Sequence, residues 1–111
     1  MGTKHRIRWA EATLQDVESI LNYIAARDGF AAASHVHDLI IDRAEKLVLN
    51  PERGRLVPEL RSIGIIDFRE LIESPYRICY RVSTRREVVI VSVLDGRRDL
   101  ERILIDRAMG R

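Results

Sequence analysis

The sequence predicts an α+β fold of order β-α-α-β-β-β-α, a four-stranded, mainly antiparallel sheet with an N-terminal helical hairpin on one face and a short C-terminal helix. Three patterns carry this. Residues 10–49 hold two stretches with apolar residues at helical spacing, parted only by Asp28-Gly29. Three runs rich in β-branched residues follow, 65–73, 76–83 and 87–94, each bounded by turn residues. A chain of 111 residues, 46% hydrophobic and 32% charged, suits one core, so residues 1–111 are expected to form a single domain.

The elements follow in order. His5–Trp9 alternates, with Ile7 and Trp9 to one side and Arg6 and Arg8 to the other, as a short strand does. Over 10–27, Leu14, Val17, Ile20, Leu21 and Ile24 make one apolar stripe. Asp28-Gly29 ends that helix, because Gly accepts the left-handed conformation of a C-terminal cap. A second helix spans 30–49, with Ala33, Val36, Ile40, Ala44 and Leu47 on its inner face, and Asn50-Pro51 stops it. So short a connection makes the two helices antiparallel. Residues 50–64 carry two prolines, two glycines and three arginines, a long connector of the kind that often serves function. Ser74-Pro75 and 84–86 turn the next three strands into hairpins, and the nearly all-apolar 87–94 is expected at the sheet centre. A last helix over 99–109 takes Asp99 as N-cap and turns Leu100, Ile103 and Leu104 inward. Helices confined to one side leave the other sheet face open.

Composition excludes several classes. No apolar run approaches the roughly 20 residues that span a bilayer, and no signal peptide opens the chain, so a soluble cytoplasmic protein is expected. The lone Cys79 has no disulfide partner and is read as a small half-buried strand residue. His35 and His37 lie two apart on a helix and point to different faces, and His5 stands apart, so no metal site is expected. No HExxH, GxSxG, P-loop or GxGxxG pattern occurs, and no cofactor is expected. Net charge is +2, yet 17 of the 19 basic residues are Arg. Arg offers a planar fork that suits bidentate recognition more than bulk attraction, and a net +2 is too weak to predict tight nonspecific nucleic-acid binding from field strength alone.

Two arginine groupings stand out. In 76–83, Tyr76, Ile78, Tyr80 and Val82 share the core side, while Arg77, Cys79, Arg81 and Ser83 share the other. Arg97 and Arg98 follow Asp95-Gly96 where a strand hands over to a helix start, a place suited to anions, although Asp95, Asp99 and Glu101 flank them and could neutralise them.

The order of elements, GRLVPELR (54–61), PYRICYRV (75–82) and LDGRRDL (94–100) together resemble the RelE/ParE superfamily of bacterial toxins over nearly the whole chain. The resemblance implies a toxin of a type II toxin–antitoxin system, tied to growth inhibition and plasmid stabilisation. It is neutralised by a cognate antitoxin whose acidic or mixed-charge segment wraps it and whose own DNA-binding domain dimerises. A heterotetramer or larger assembly follows. RelE-type members cut mRNA on the ribosome; ParE-type members poison DNA gyrase by holding its cleaved DNA open. Arg77 and Arg98 match arginines of the RelE-type site. RelE carries a tyrosine six residues after the second of these, where this chain has Leu104, and residues 95–111 hold no Tyr, His or Lys. RNA cleavage needs a general base and acid, for which Arg is a poor substitute near neutral pH. The GRLVPELR and GRRDL segments also look more like ParE. The expectation is therefore a ParE-like binding toxin against DNA gyrase with no catalytic residue. The alternatives are a RelE-like ribosome-dependent mRNA endonuclease and a nontoxic antitoxin-binding module. Arg77, Arg81, Arg97 and Arg98 are the expected target contacts; Leu14, Arg55, Arg61, Arg69 and Arg77 are the expected antitoxin contacts.

Overall fold

A computed structural model describes residues 4–96 and 101–110. Its elements are β1 (Arg6–Trp9), α1 (Glu11–Asp28), α2 (Phe30–Glu45), β2 (Arg55–Leu56), α3 (Pro58–Arg61), β3 (Phe68–Glu73), β4 (Tyr76–Val82), β5 (Glu87–Asp95) and α4 (Glu101–Ala108). One sheet forms in the order β1-β5-β4-β3-β2, so it has five strands rather than the four expected. The extra strand is the two-residue β2, too short to show any period in sequence. β1 runs parallel to β5 and the remaining pairs are antiparallel. β5 lies second from the edge, between β1 and β4, and the middle position expected of its apolar run belongs to β4.

α1 and α2 pack as a hairpin on the first face. Ile40, Ala44 and Leu47 meet Ile78, Tyr80, Val88, Ile90 and Val93, with Ile7, Trp9, Val17, Ile20, Val36 and Leu71 at the margin. α2 ends at Glu45, short of residue 49, but Leu47 in the following turn still faces the core. α1 departs from its expected stripe at one point. Leu14 is 55% exposed and Thr13 is buried instead, its hydroxyl donating to the Ile90 carbonyl at 2.7 Å.

The second face is not open. The connector over 50–64 folds into β2 and α3, and Val57 and Leu60 pack with Leu104 of α4 over Cys79 and Leu94. Ile103 joins this second core, while Leu100 and the Asp99 cap lie outside the described residues. Cys79 is therefore fully buried, not half-buried, and desolvation pushes its thiol pKa up to about 12.

A bulge serves this layering. Cys79 pairs with Ser92 and Tyr80 with Ile90, so Val91 is the extra residue on β5. Beyond Trp9 no strand among the described residues lies beside the β5 edge, and the start of α1 together with side chains of α1 and α4 closes it. The Ile90 carbonyl takes the Ala10 N–H at 3.1 Å, the Val93 N–H goes to Asp16 at 3.2 Å, and Arg107 donates to the Val91 carbonyl at 2.8 Å. Arg107 also grips both oxygens of Asp16 at 3.0 Å, which ties α4 to α1. Among the described residues no helix is long and apolar enough to cross a membrane.

Candidate functional site

Arg77 sits on the second face, as strand alternation requires, but it does not present a free guanidinium. Its NH1 and NH2 donate to the two oxygens of Glu59 at 2.6 and 2.7 Å, and its Nε donates to Glu70 at 2.7 Å. Glu70 is diagonal to it across the β3–β4 ladder, opposite Cys79, and its side chain is 0% exposed. Arg55 on β2 faces Glu70 in register and donates to its second oxygen at 2.8 Å. The result is a row, Glu59–Arg77–Glu70–Arg55, that fastens α3 and β2 to the sheet. The hydrogen bonds that Arg77 donates, above all to Glu59, raise its own pKa, and accepting them lowers that of Glu59.

Of the other expected contacts, Arg69 faces the helical side and donates to the Gly54 carbonyl at 2.8 Å. Arg61 is exposed on α3 and borders a surface hollow with Arg55, Leu56, Pro58 and Ser62. Arg81 lies on the same face as Arg77 but four residues along β4, opposite Phe68 and Val89, away from the carboxylate row. Arg97 and Arg98 lie outside the described residues; Gly96, just before them, has no room for a side chain. A Cβ there would stand 2.9 Å from the Pro75 carbonyl and 3.4 Å from the Arg77 Cδ. Gly96 therefore packs directly against Pro75 and Arg77. Leu14 is exposed on α1.

Tyr76 and Tyr80 are both on the helical side. Tyr80 is 0% exposed and its hydroxyl accepts the Gly54 N–H at 2.9 Å; Tyr76 is 9% exposed. Burial raises the Tyr80 pKa. Sequence reasoning missed Glu59 and Glu70. The one signal was register, since a turn at Ser74-Pro75 places Glu70 diagonal to Arg77, but nothing in sequence brings Glu59 across. Among the described residues, no group of three or more His, Cys, Asp or Glu gathers as a metal site would need.

A groove of about 590 Å³ lies at the far end of α1, between Ser19, Ile20, Tyr23, Ile24, Arg27 and Asp28 and the Pro75, Tyr76 and Asp95 positions of the sheet. It is separate from the carboxylate row.

Comparison with known proteins follows the fold. A chromosomal ParDE toxin–antitoxin system of Pseudomonas aeruginosa aligns with TM-score 0.69 at 18% identity, covering 83% of this chain and 96% of that one. The RelBE2 toxin–antitoxin complex of Mycobacterium tuberculosis aligns at 0.58 and 18%, covering 84% and 92%. A double arginine mutant of the Escherichia coli toxin RelE, in the free state, aligns at 0.65 and 16%, covering 97% and 98%. At such identity these likenesses speak to the fold, and no curated protein matches the chain. Residues 7–100 match the family of the ParE toxin of type II toxin-antitoxin system, parDE, and with that span of the chain covered, this protein belongs to the ParE toxin family, which implies a cognate antitoxin.

Proposed function

We propose that the protein acts as a ParE-like toxin that binds DNA gyrase and leaves its double-strand break unsealed, without chemistry of its own. The observation that supports this reading is the commitment of Arg77. A cleavage site would aim that guanidinium at a pentavalent phosphate. Here all its directions toward Glu59 and Glu70 are filled by short hydrogen bonds within the fold. The two carboxylates beside it are poor proton shuttles. Both oxygens of Glu59 already accept from Arg77, and its lowered pKa weakens it as a base. The hydroxyls of Tyr76 and Tyr80 belong to the opposite face of the sheet. Support for a binding toxin also comes from the family itself.

The cognate antitoxin is proposed to cover Leu14 and the Arg55, Arg61 and Arg69 region as it wraps the toxin, in an assembly with two copies of each chain. The test of the target is direct. Purified toxin added to gyrase and relaxed plasmid is expected to block supercoiling and to accumulate linear, cleaved DNA. Normal supercoiling at a large molar excess of toxin sinks the proposal, and mRNA cuts in a translation extract replace it with ribonuclease action.

A further inference from the structure

A second cluster of charge lies on the sheet face at the end away from α3. Strand register puts Arg6 beside Glu87, and Arg8 and Arg81 on either side of Val89, all on the face opposite the helical hairpin. Arg6 and Arg8, two apart on one strand, are about 7 Å apart, and Arg8 and Arg81, one strand removed, about 10 Å. The β4–β5 turn adds exposed Arg85 and Arg86 at this end, where the Arg6 N–H meets the Arg86 carbonyl, and Lys4 precedes β1, also exposed. Glu87 is the carboxylate that the strand register sets between Arg6, Arg8 and Arg81. It accepts from Arg8 at 2.9 Å, and that bond first, then the charges of Arg8, Arg6 and Arg81, lower its pKa. No hydrogen bond among the described residues engages the guanidinium of Arg6 or Arg81. Six cations gather here around Glu87, with Asp67 and Glu52 bordering a hollow on the far side of Arg81, in a chain whose net charge is only +2.

We propose that this strip, Arg6, Arg8, Arg81 and the Arg85-Arg86 turn, is a docking surface for the phosphate backbone of duplex DNA. Its chemistry favours a polyphosphate over an acidic polypeptide. Protein interfaces are anchored by apolar or aromatic side chains seated in pockets. Val89, between the arginines, is 2% exposed and offers no such anchor. Backbone contact with nucleic acid needs only charge and donors. The strip also lacks a stacking platform of the kind single strands require, because Trp9 packs into the helical core and Phe68 into the C-terminal one. A duplex, with bases paired and phosphates outward, remains. The choice of DNA rests on the gyrase reading; the surface itself does not.

The test uses labelled duplexes and no gyrase, so it fails or succeeds apart from the supercoiling assay. Fluorescence anisotropy is followed from 50 to 200 mM salt with a 20-base-pair DNA, a duplex RNA of equal length, a single-stranded DNA and poly-glutamate. The wild type is expected to bind duplex DNA with affinity falling steeply with salt. Arg6→Ala/Arg8→Ala/Arg81→Ala is expected to weaken binding at least about tenfold and to lower the log–log salt slope by about 2.7, at about 0.9 per phosphate lost. The triple Lys variant is expected to keep the slope, and Glu87→Gln to tighten binding. No binding to duplex DNA at 50 mM salt, an unchanged slope in the triple Ala variant, or tighter binding of duplex RNA, single strands or poly-glutamate overturns the assignment. Glu87→Gln keeps the test decisive should the triple variant misfold.

Discussion

At the scale of single residues, Arg77 changes character between sequence and structure. Alternation along 76–83 correctly put it opposite Tyr76, Ile78 and Tyr80, because the bulge lies on β5 and leaves β4 in step. What alternation cannot show is occupancy of the face. The partner that fills the Arg77 fork, Glu59, is 18 residues away on a helical turn of four residues. Its arrival depends on how β2 and α3 fold back, which has no local sequence signal. Arg77 thus holds structure together before it can contact any target. Removing it leaves Glu70, whose side chain is 0% exposed, with Arg55 and the weak thiol donor of Cys79 at 4.0 Å. Breaking one side of a buried pair costs about 3–5 kcal/mol. Glu59 is partly open to water, so Arg77→Ala is expected near the low end, about 3 kcal/mol, read as a fall in urea midpoint. A midpoint equal to wild type means the carboxylate row contributes nothing to stability. Because Arg77→Ala is expected to lower stability, loss of activity in that variant does not map a contact, and contact mapping at Arg77 requires folded variants.

Among the elements, the long ones were legible and the short ones were not. α1 and α2 show several turns of apolar period, and Val88, Ile90 and Val93 announce a buried strand. β2 and α3 are two and four residues long, below any period, so the segment reads as a loop and the second face reads as bare. α4 completes that face, and its attachment is specific. Arg107 bridges the Val91 carbonyl and Asp16, while Asp16 takes the Val93 N–H. The bulge at Val91 and the end of β1 leave these backbone groups without a strand partner, and charged side chains supply one. Hydrogen bonds to charged groups contribute about 1.5–3 kcal/mol, so Arg107→Ala is expected to lose about 2 kcal/mol and to loosen α4. The buried thiol beneath α4 reports on this. Cys79 is expected to resist a thiol reagent in the native wild type and to react at least about tenfold faster in Arg107→Ala, as a shift of this size in the opening equilibrium requires. Equal labelling rates would show that Leu104 and its neighbours hold α4 without Arg107.

Over the whole molecule, the ionisable groups define a stability plateau with two different edges. On the acid side, the Glu59 and Glu87 pKa values are lowered in the fold, first by hydrogen bonds from Arg77 and Arg8 respectively. A group whose pKa is depressed on folding contributes stability that is present above its unfolded value, about 4.3, and lost as pH falls through the folded one. On the alkaline side, burial raises Cys79 to about 12 and Tyr80 above its ordinary value. An acid kept neutral by burial leaves stability intact below its unfolded pKa. Above it the unfolded chain releases a proton that the native chain retains, so stability falls with pH, from about 8.5 for the thiol and about 10 for the phenol. The urea midpoint is therefore expected to be flat from about pH 5 to about pH 8 and to decline on both sides. Glu59→Gln is expected to lower the plateau and make the acid limb shallower, since one carboxylate no longer takes up a proton on unfolding. Cys79→Val, close in volume and without a proton, is expected to delay the alkaline decline until Tyr80 takes over. An acid limb unchanged in Glu59→Gln would mean that the α3 clamp is not ionised in the fold, and an alkaline limb unchanged in Cys79→Val would mean that α4 does not keep water from the second core.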